Sequence, residues 1–183
     1  MTAGEDLRAS LSGLAALLRL DRSAPARFNI SIEGFWRSFY LAAPIVFALH
    51  YLAQALYGEG EMGNPLPRIL VFAVAWISFP LVMLALGAVL GLNARYVPFI
   101  VVYNWSQVLP AAITVLIGAG HMLGLVSPGG LSSLLLILIV LKLGLTAYIA
   151  HLTLETGPGT AFGIALVDLL LEFVLAMAFS DWI

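Results

Sequence analysis

The sequence ILVFAVAWISFPLVMLALGAVL, residues 69–90, carries no charged side chain along its whole length. About 20 consecutive apolar residues are enough for a helix to cross the hydrocarbon core of a bilayer. The full span is predicted from about Leu66 to Leu90, because the polar turn upstream has no place inside a bilayer. Gly91 and Asn93 follow it directly, and both are typical of a helix C-terminus. This stretch therefore predicts a transmembrane α-helix.

Four further segments of the chain have the same character. The chain of 183 residues is 62% hydrophobic and 10% charged, whereas a soluble domain usually carries about 25% charged residues. Short turns between successive spans predict an up-and-down bundle of close neighbours. The predicted fold class is all-α, a membrane bundle of five transmembrane helices at residues 35–183 behind an N-terminal segment at residues 1–34. The other spans are expected at about residues 35–57, 97–118, 131–151 and 160–180.

The N-terminal segment contains a short amphipathic helix at residues 6–20, DLRASLSGLAALLRL. Leu7, Leu11, Leu14 and Leu18 fall on one narrow stripe at the helical period. Such a helix lies on a membrane surface or recruits a partner. The alternative is that it packs against its own bundle, and the sequence leaves both interpretations open.

The arginines predict an orientation. With the N-terminus in the cytoplasm, six arginines fall on the cytoplasmic side and only Arg68 falls outside, as the positive-inside rule favours. An odd number of spans then places the C-terminus outside. The bias toward arginine over lysine is compatible with a GC-rich bacterial genome, so we expect an inner-membrane protein. The cytoplasmic arginines are Arg8, Arg19, Arg22, Arg27, Arg37 and Arg95.

Three ionisable residues lie deep inside the last two spans: Lys142, Asp168 and Glu172. Each costs about 2.5 to 3.5 kcal/mol at the centre of a membrane helix, so each is expected to be paired, buried or functional. Lys142 and Asp168 come out at one depth on adjacent helices, which predicts an ion pair between them with Glu172 as the surplus acid. The cluster is interpreted either as a proton or cation relay or as a polar clamp between two helices.

Uncharged polar residues and a histidine in the first three spans fall near the same depth and predict a polar layer through the bundle. They are His50, Gln54, Ser78, Asn104 and Gln107.

Three prolines interrupt the apolar spans at Pro44, Pro80 and Pro110. A proline inside a helix kinks it and frees a backbone carbonyl, which a neighbour must satisfy in the membrane. Kinked helices of this kind line cavities in some bundles and are ordinary packing features in others.

Several function classes lack their sequence signals. A net charge of −2 gives no basic footprint for nucleic acid. The absence of cysteine excludes disulfides and thiolate metal sites. No phosphate loop, dinucleotide fingerprint or common hydrolase motif is present, so no catalytic residue or cofactor is predicted. His151 and Glu155 have metal-ligand spacing but lack a third ligand, so no metal site is predicted either.

A polar N-terminal stretch followed by five closely spaced apolar spans resembles the Yip (Ypt-interacting protein) superfamily. The resemblance covers residues 35–180, with a proline in the first span at LAAPIVF and the third reading RYVPFIVVYNWSQVLP. It implies a helical membrane protein that acts through assembly rather than catalysis. The leading hypothesis is a noncatalytic organising or accessory component whose partners are the lipid bilayer and other membrane proteins or a second copy. The alternative is a small transporter or a proton- or cation-conducting subunit that uses Lys142, Asp168 and Glu172.

Overall fold

The computed structural model describes residues 2–57 and 64–180, and in these residues the chain forms helices and no strand. A short helix precedes five helices that are long and apolar enough to cross a membrane, so the predicted all-α membrane bundle is confirmed. The predicted polar turn GEGEMGNPLP covers residues 58–67, of which 58–63 lie outside the described residues, as do the C-terminal residues 181–183. The helices are α1 (Ala3–Leu18), α2 (Ile32–Tyr57), α3 (Pro65–Leu90), α4 (Asn93–Met122), α5 (Pro128–Thr153) and α6 (Pro158–Ala178).

Local capping explains where the spans begin and end. The Ser31 hydroxyl accepts a hydrogen bond from the backbone amide of Gly34 at 3.1 Å and caps the start of the first span. This cap starts α2 at Ile32, three residues before the predicted boundary. Gly91 adopts a left-handed φ of +70° and ends α3, as predicted. The third span continues to Met122 instead of residue 118, because helical hydrogen bonding persists to the turn at Gly124.

Two of the three prolines follow irregularities in their helices. A π-helical segment, Ser38–Ala42, precedes Pro44 in α2, and α4 is interrupted at Gln107, three residues before Pro110. A proline has no amide hydrogen, so the carbonyl four residues earlier loses its helical partner and the local winding changes. α3 instead runs through Pro80, whose carbonyl accepts a hydrogen bond from the Tyr96 hydroxyl at 3.0 Å.

The helices pack in two close pairs. α5 and α6 form an antiparallel hairpin, and α2 runs beside the second half of α4. The first half of α4 is the centre of the bundle, because every residue from Phe99 to Ser106 is buried. Tyr103 in this segment stacks on Phe79 of α3 with ring centroids 4.5 Å apart. We call the end where α2, α4 and α6 begin the α1 end, and the opposite end the far end.

α1 packs against its own bundle, which was one of the two predicted alternatives. Leu14 and Leu17 are buried, and the ring of Phe28 covers Gly13 so closely that a Cβ there would lie 2.3 Å from it. The predicted leucine stripe is split, since Leu7, Leu11 and Leu18 of that stripe are exposed. The side of α1 that faces the bundle is rotated about a quarter turn around the helix axis from the leucine stripe. This rotation arises because α1 buries polar residues as well as leucines.

Candidate functional site

A cavity of about 680 Å³ opens between α2, α3, α4, α5 and α6 in the far half of the bundle. Its lining reaches from Tyr57 and Arg68 near the far end to Tyr103 and Asp168 at its floor. Tyr103 and Asp168 each lie ten residues from the α1-end start of their helices, about 15 Å at a rise of 1.5 Å per residue. The floor is therefore near the middle of a hydrocarbon core about 30 Å thick.

Asp168 forms the polar part of the floor and is only 3% exposed. The Tyr103 hydroxyl donates a hydrogen bond of 2.6 Å to one carboxylate oxygen, and the Thr146 hydroxyl lies 3.5 Å from the other. Three helices therefore converge on one carboxyl group. Sequence reasoning did not single out Tyr103. The signal was available, because a phenol at mid-span needs a hydrogen-bond partner when it is buried.

The ion pair in this cavity joins Lys142 to Glu172, whose amino and carboxylate groups are in direct contact. The predicted partner of Lys142 was Asp168. This prediction was wrong, because the partner is Glu172. The two acids share a helix face one turn apart, and depth alone did not distinguish them. Asp168 turns toward Tyr103 and Thr146 inside the bundle, whereas Glu172 lies nearer the far end and remains exposed.

Polar groups from the first three spans continue the lining toward the far end. His50 lies within electrostatic range of both Lys142 and Glu172, and its ring faces Phe72 with centroids 6.2 Å apart. Arg68 donates a hydrogen bond of 3.1 Å to Gln54 near the mouth. Of the five residues predicted to form a polar layer, three line this cavity. These three are His50, Gln54 and Gln107.

The other two predicted members of the layer lie away from the cavity. Asn104 is buried and donates a hydrogen bond of 2.9 Å from Nδ2 to the Ser38 hydroxyl of α2, in the π-helical segment. Ser78 donates to the carbonyl of Val74 in its own helix at 2.7 Å. Ser78 therefore bonds within its own helix, and Asn104 joins α4 to α2. Both residues lie on sides of their helices that face away from the cavity.

Trp76 of α3 adds an unsatisfied donor to the cavity wall. Its indole Nε1 is buried and has no hydrogen-bond partner among residues 2–57 and 64–180, while the residue belongs to the lining. A buried N–H without a partner is costly. The lining thus combines a large apolar surface with a few polar groups, which is the usual composition of a small-molecule site.

The pair of residues with metal-ligand spacing serves other contacts at the α1 end. The Glu155 carboxylate accepts a hydrogen bond of 2.5 Å from Arg95, which joins the end of α5 to the start of α4. His151 is 2.6 Å from the carbonyl of Thr156 through Nδ1. Within residues 2–57 and 64–180, no group of three or more His, Cys, Asp or Glu side chains is arranged to hold a metal ion.

The cavity as a whole offers a fixed ion pair, a buried carboxyl group hydrogen-bonded by a phenol, and a histidine at membrane depth. These groups can bind a cation or exchange protons with water that enters from the far end. Comparison of the chain with protein-family models, with characterised proteins and with solved structures found no match.

Proposed function

We propose that the protein is a small transport protein that moves protons or a small cation across the membrane through this cavity. The observation that carries the proposal is that Lys142, Glu172 and Asp168 line one cavity at mid-membrane depth. Ionisable residues at this depth usually mark ion pathways when they face water and structural contacts when they face only each other. A cavity of about 680 Å³ has room for many waters, since one water occupies about 30 Å³.

The extent of the cavity supports alternating access over a continuous pore, because its lining ends at Tyr103 and Asp168 near mid-membrane. Between Tyr103 and the α1 end the bundle is filled by the buried segment of α4, whose Phe99 and Ile100 are fully enclosed. A site open to one face and closed to the other is the form that alternating access takes in small transporters. The interruption of α4 at Gln107 lies one turn from the floor toward the far end and offers a place where the two halves of α4 can move separately.

The ion pair between Lys142 and Glu172 changes when a proton or a small cation binds in the cavity. A proton that binds the Glu172 carboxylate neutralises it and releases Lys142 from the pair. A small cation achieves the same effect by competing with the Lys142 ammonium for the carboxylate oxygens. In either case the α5–α6 hairpin loses its interhelical ionic contact, which couples occupancy of the cavity to the packing of these helices.

The proposal is tested with the full chain reconstituted into liposomes that contain a pH-sensitive dye, under an imposed proton gradient, with a parallel arm under a sodium gradient. We expect a flux above that of protein-free liposomes in at least one arm. Glu172→Gln keeps the shape of the side chain and removes its charge, so it is expected to reduce the flux at least severalfold.

The matched control is Glu155→Gln, which removes the same charge from an exposed ion pair with Arg95 outside the cavity. This variant is expected to keep the wild-type flux. Size-exclusion elution and thermal unfolding of both variants establish that they are folded. Wild-type protein with no flux in either arm would overturn the proposal, and a flux equal in Glu172→Gln and wild type would remove Glu172 from the pathway.

An organising or accessory role in a membrane assembly is the second proposal. It is favoured by α1, a folded helix across one end of the bundle that presents Arg8, Ser12 and Arg19 on an exposed face. Copurification of a defined membrane partner after mild solubilisation supports this role. A protein that is reproducibly solitary and moves solute contradicts it.

The proposed orientation has the α1 end in the cytoplasm of a bacterial inner membrane. Its support is the distribution of arginines, because Arg68 alone lies toward the far end. In this orientation the half of the bundle that contains the cavity lies on the outer side.

A further inference from the structure

The exposed leucines of α1 form a continuous edge that the bundle does not cover. Leu7, Leu11 and Leu18 fall within about 40° of one another at 3.6 residues per turn. Leu11 is 53% exposed and Leu18 is 65% exposed. We call these three residues the leucine edge. A row of large apolar side chains on one side of a helix needs an apolar neighbour.

The other two sides of α1 are chemically distinct from this edge. The side centred on Asp6, Ser10 and Leu17 is buried against the bundle. The side that carries Ser12 and Arg19 is exposed and polar, and lies roughly 100° from the leucine edge at 100° per residue. The helix therefore has a buried side, a polar side and an apolar edge. These three sides suit a position where the helix contacts protein, water and an apolar environment.

Two contacts fix the level at which α1 lies. At its start, the Arg37 guanidinium of α2 donates to the Asp6 carboxylate at 3.3 Å. Just beyond its end, the Tyr148 hydroxyl of α5 donates to the carbonyl of Leu20 at 2.6 Å. Arg37 and Tyr148 each lie five residues from the α1 end of their helices, about 7 Å at 1.5 Å per residue.

Because both anchors have the same depth, α1 runs across the end of the bundle, parallel to the membrane plane. A depth of about 7 Å matches the 5 to 10 Å to which interfacial helices enter the boundary between headgroups and acyl chains. The start of α2 at the same level exposes Ile32, Trp36 and Tyr40. These residues open a membrane-crossing helix, and exposed aromatic residues of this kind lie at the membrane interface.

The charges around α1 fit anionic headgroups. Arg8, Arg19 and Arg22 are exposed, and no carboxylate among the described residues forms an ion pair with any of them. Basic side chains on an interfacial helix attract anionic phospholipids at the membrane surface.

We propose that α1 is an in-plane interfacial helix of the leaflet at the α1 end. Its leucine edge enters the acyl-chain boundary of that leaflet, and Arg8, Arg19 and Arg22 bind the headgroups of anionic phospholipids. The ion pair between Asp6 and Arg37 holds this helix to α2, so the lipid contact is attached directly to the first membrane span.

The chain contains no cysteine, so a single introduced cysteine carries a spin label at one known position. The neighbouring variants Leu11→Cys and Ser12→Cys place the label on the leucine edge and on the water-facing side, and Leu18→Cys gives a second edge position. Each labelled full chain is reconstituted into phosphatidylcholine vesicles with and without phosphatidylglycerol. Collision rates are measured with oxygen, which concentrates in the bilayer, and with a water-soluble nickel complex.

We expect the ratio of oxygen to nickel collisions to be severalfold higher at Leu11 and Leu18 than at Ser12. Equal ratios at Leu11 and Ser12 would overturn the proposal, because the edge would then face water. Exclusion of both reagents from Leu11 would also overturn it, because protein would then cover the edge. Thermal unfolding of each labelled chain confirms that α1 is still packed on the bundle.

Phosphatidylglycerol is expected to raise the ratio at Leu11 further, and replacement of Arg8, Arg19 and Arg22 by Gln is expected to abolish this rise. A ratio at Leu11 that is independent of phosphatidylglycerol in the wild-type arginine background would overturn the headgroup part of the proposal. A rise that persists in the triple variant would assign the lipid preference to other residues and would equally overturn it.

Discussion

Two ionic clusters among the described residues, one at the α1 end and one in the far half, differ in what surrounds them. At the α1 end, Arg37 joins Asp6 at 3.3 Å and Glu33 at 2.5 Å, and Asp6 is 1% exposed. This cluster is closed, because protein atoms enclose its central carboxylate and guanidinium. In the far half, Lys142 and Glu172 form a pair on the wall of a cavity of about 680 Å³.

The difference teaches how to separate a structural cluster from a candidate site when both contain the same residue types. In the closed cluster, the charges satisfy one another and hold α1 on α2, and protein encloses the Asp6 carboxylate. In the cavity cluster, the Glu172 carboxylate is 44% exposed, so part of its hydrogen-bonding capacity is left for an occupant. Enclosure by protein indicates a role in stability, and exposure to a cavity indicates a capacity to bind.

The largest expected effect comes from removal of the cation in the closed cluster. Arg37→Met leaves the buried Asp6 carboxylate without its cation, which costs about 3 to 5 kcal/mol of unfolding free energy for a buried pair. Lys142→Met removes the cation of the cavity pair and is expected to cost about 1 kcal/mol or less, since Glu172 can be hydrated in the cavity. Thermal or denaturant unfolding in one detergent compares the two variants.

Equal losses in Arg37→Met and Lys142→Met would contradict the distinction between the clusters. The double variant Asp6→Asn with Arg37→Met removes both charges of the closed cluster. It is expected to recover part of the stability, because no isolated charge is left buried.

An intermediate effect is expected at the floor of the cavity. Tyr103→Phe removes the 2.6 Å hydrogen bond to Asp168 and keeps the ring that stacks on Phe79. Loss of a hydrogen bond to a charged group costs about 1.5 to 3 kcal/mol. Unfolding of this variant measures the cost. A loss of unfolding free energy near zero would mean that water in the cavity replaces the phenol hydroxyl as a hydrogen-bond donor. The floor would then resemble the cavity cluster rather than the closed cluster.

The smallest effect is expected when the pH is lowered, and it concerns Glu5 at the start of α1. The backbone amide of Thr2 donates to Glu5 at 2.7 Å, and this hydrogen bond lowers the pKa of Glu5 below its usual value. A lowered folded-state pKa means that the stabilisation is present above the ordinary carboxyl pKa and is lost as the pH falls through the folded-state pKa. The difference in unfolding temperature between wild type and Glu5→Gln should therefore be small at pH 7 and vanish in acid. A difference that grows in acid would contradict the assignment.

The predicted spans agreed with the structure because bilayer-length apolar runs are a property of the local sequence. The run at residues 69–90 lies within one helix, Pro65–Leu90, which ends at Gly91 as predicted. The boundaries moved by a few residues where a cap or continued helical hydrogen bonding extended a helix, as at Ile32 and Met122.

The partners inside the bundle were less predictable. Lys142 and Asp168 have similar depths, yet the pair forms with Glu172, because side-chain direction and helix rotation decide which acid reaches across. Asn104 and Gln107 are three residues apart, yet one meets Ser38 and the other lines the cavity. Depth can be counted along a sequence, whereas rotation about the helix axis depends on which neighbours the helix has.

The sequence by itself determined that this protein is a five-span helical membrane protein with a short amphipathic helix in front, because hydropathy, helical period and capping are local properties. Only the tertiary structure decided that α1 packs on the bundle, that Tyr103 meets Asp168, and that a cavity opens beside Lys142 and Glu172. These features depend on the relative rotation and spacing of helices distant in sequence, which arise from packing many side chains at once.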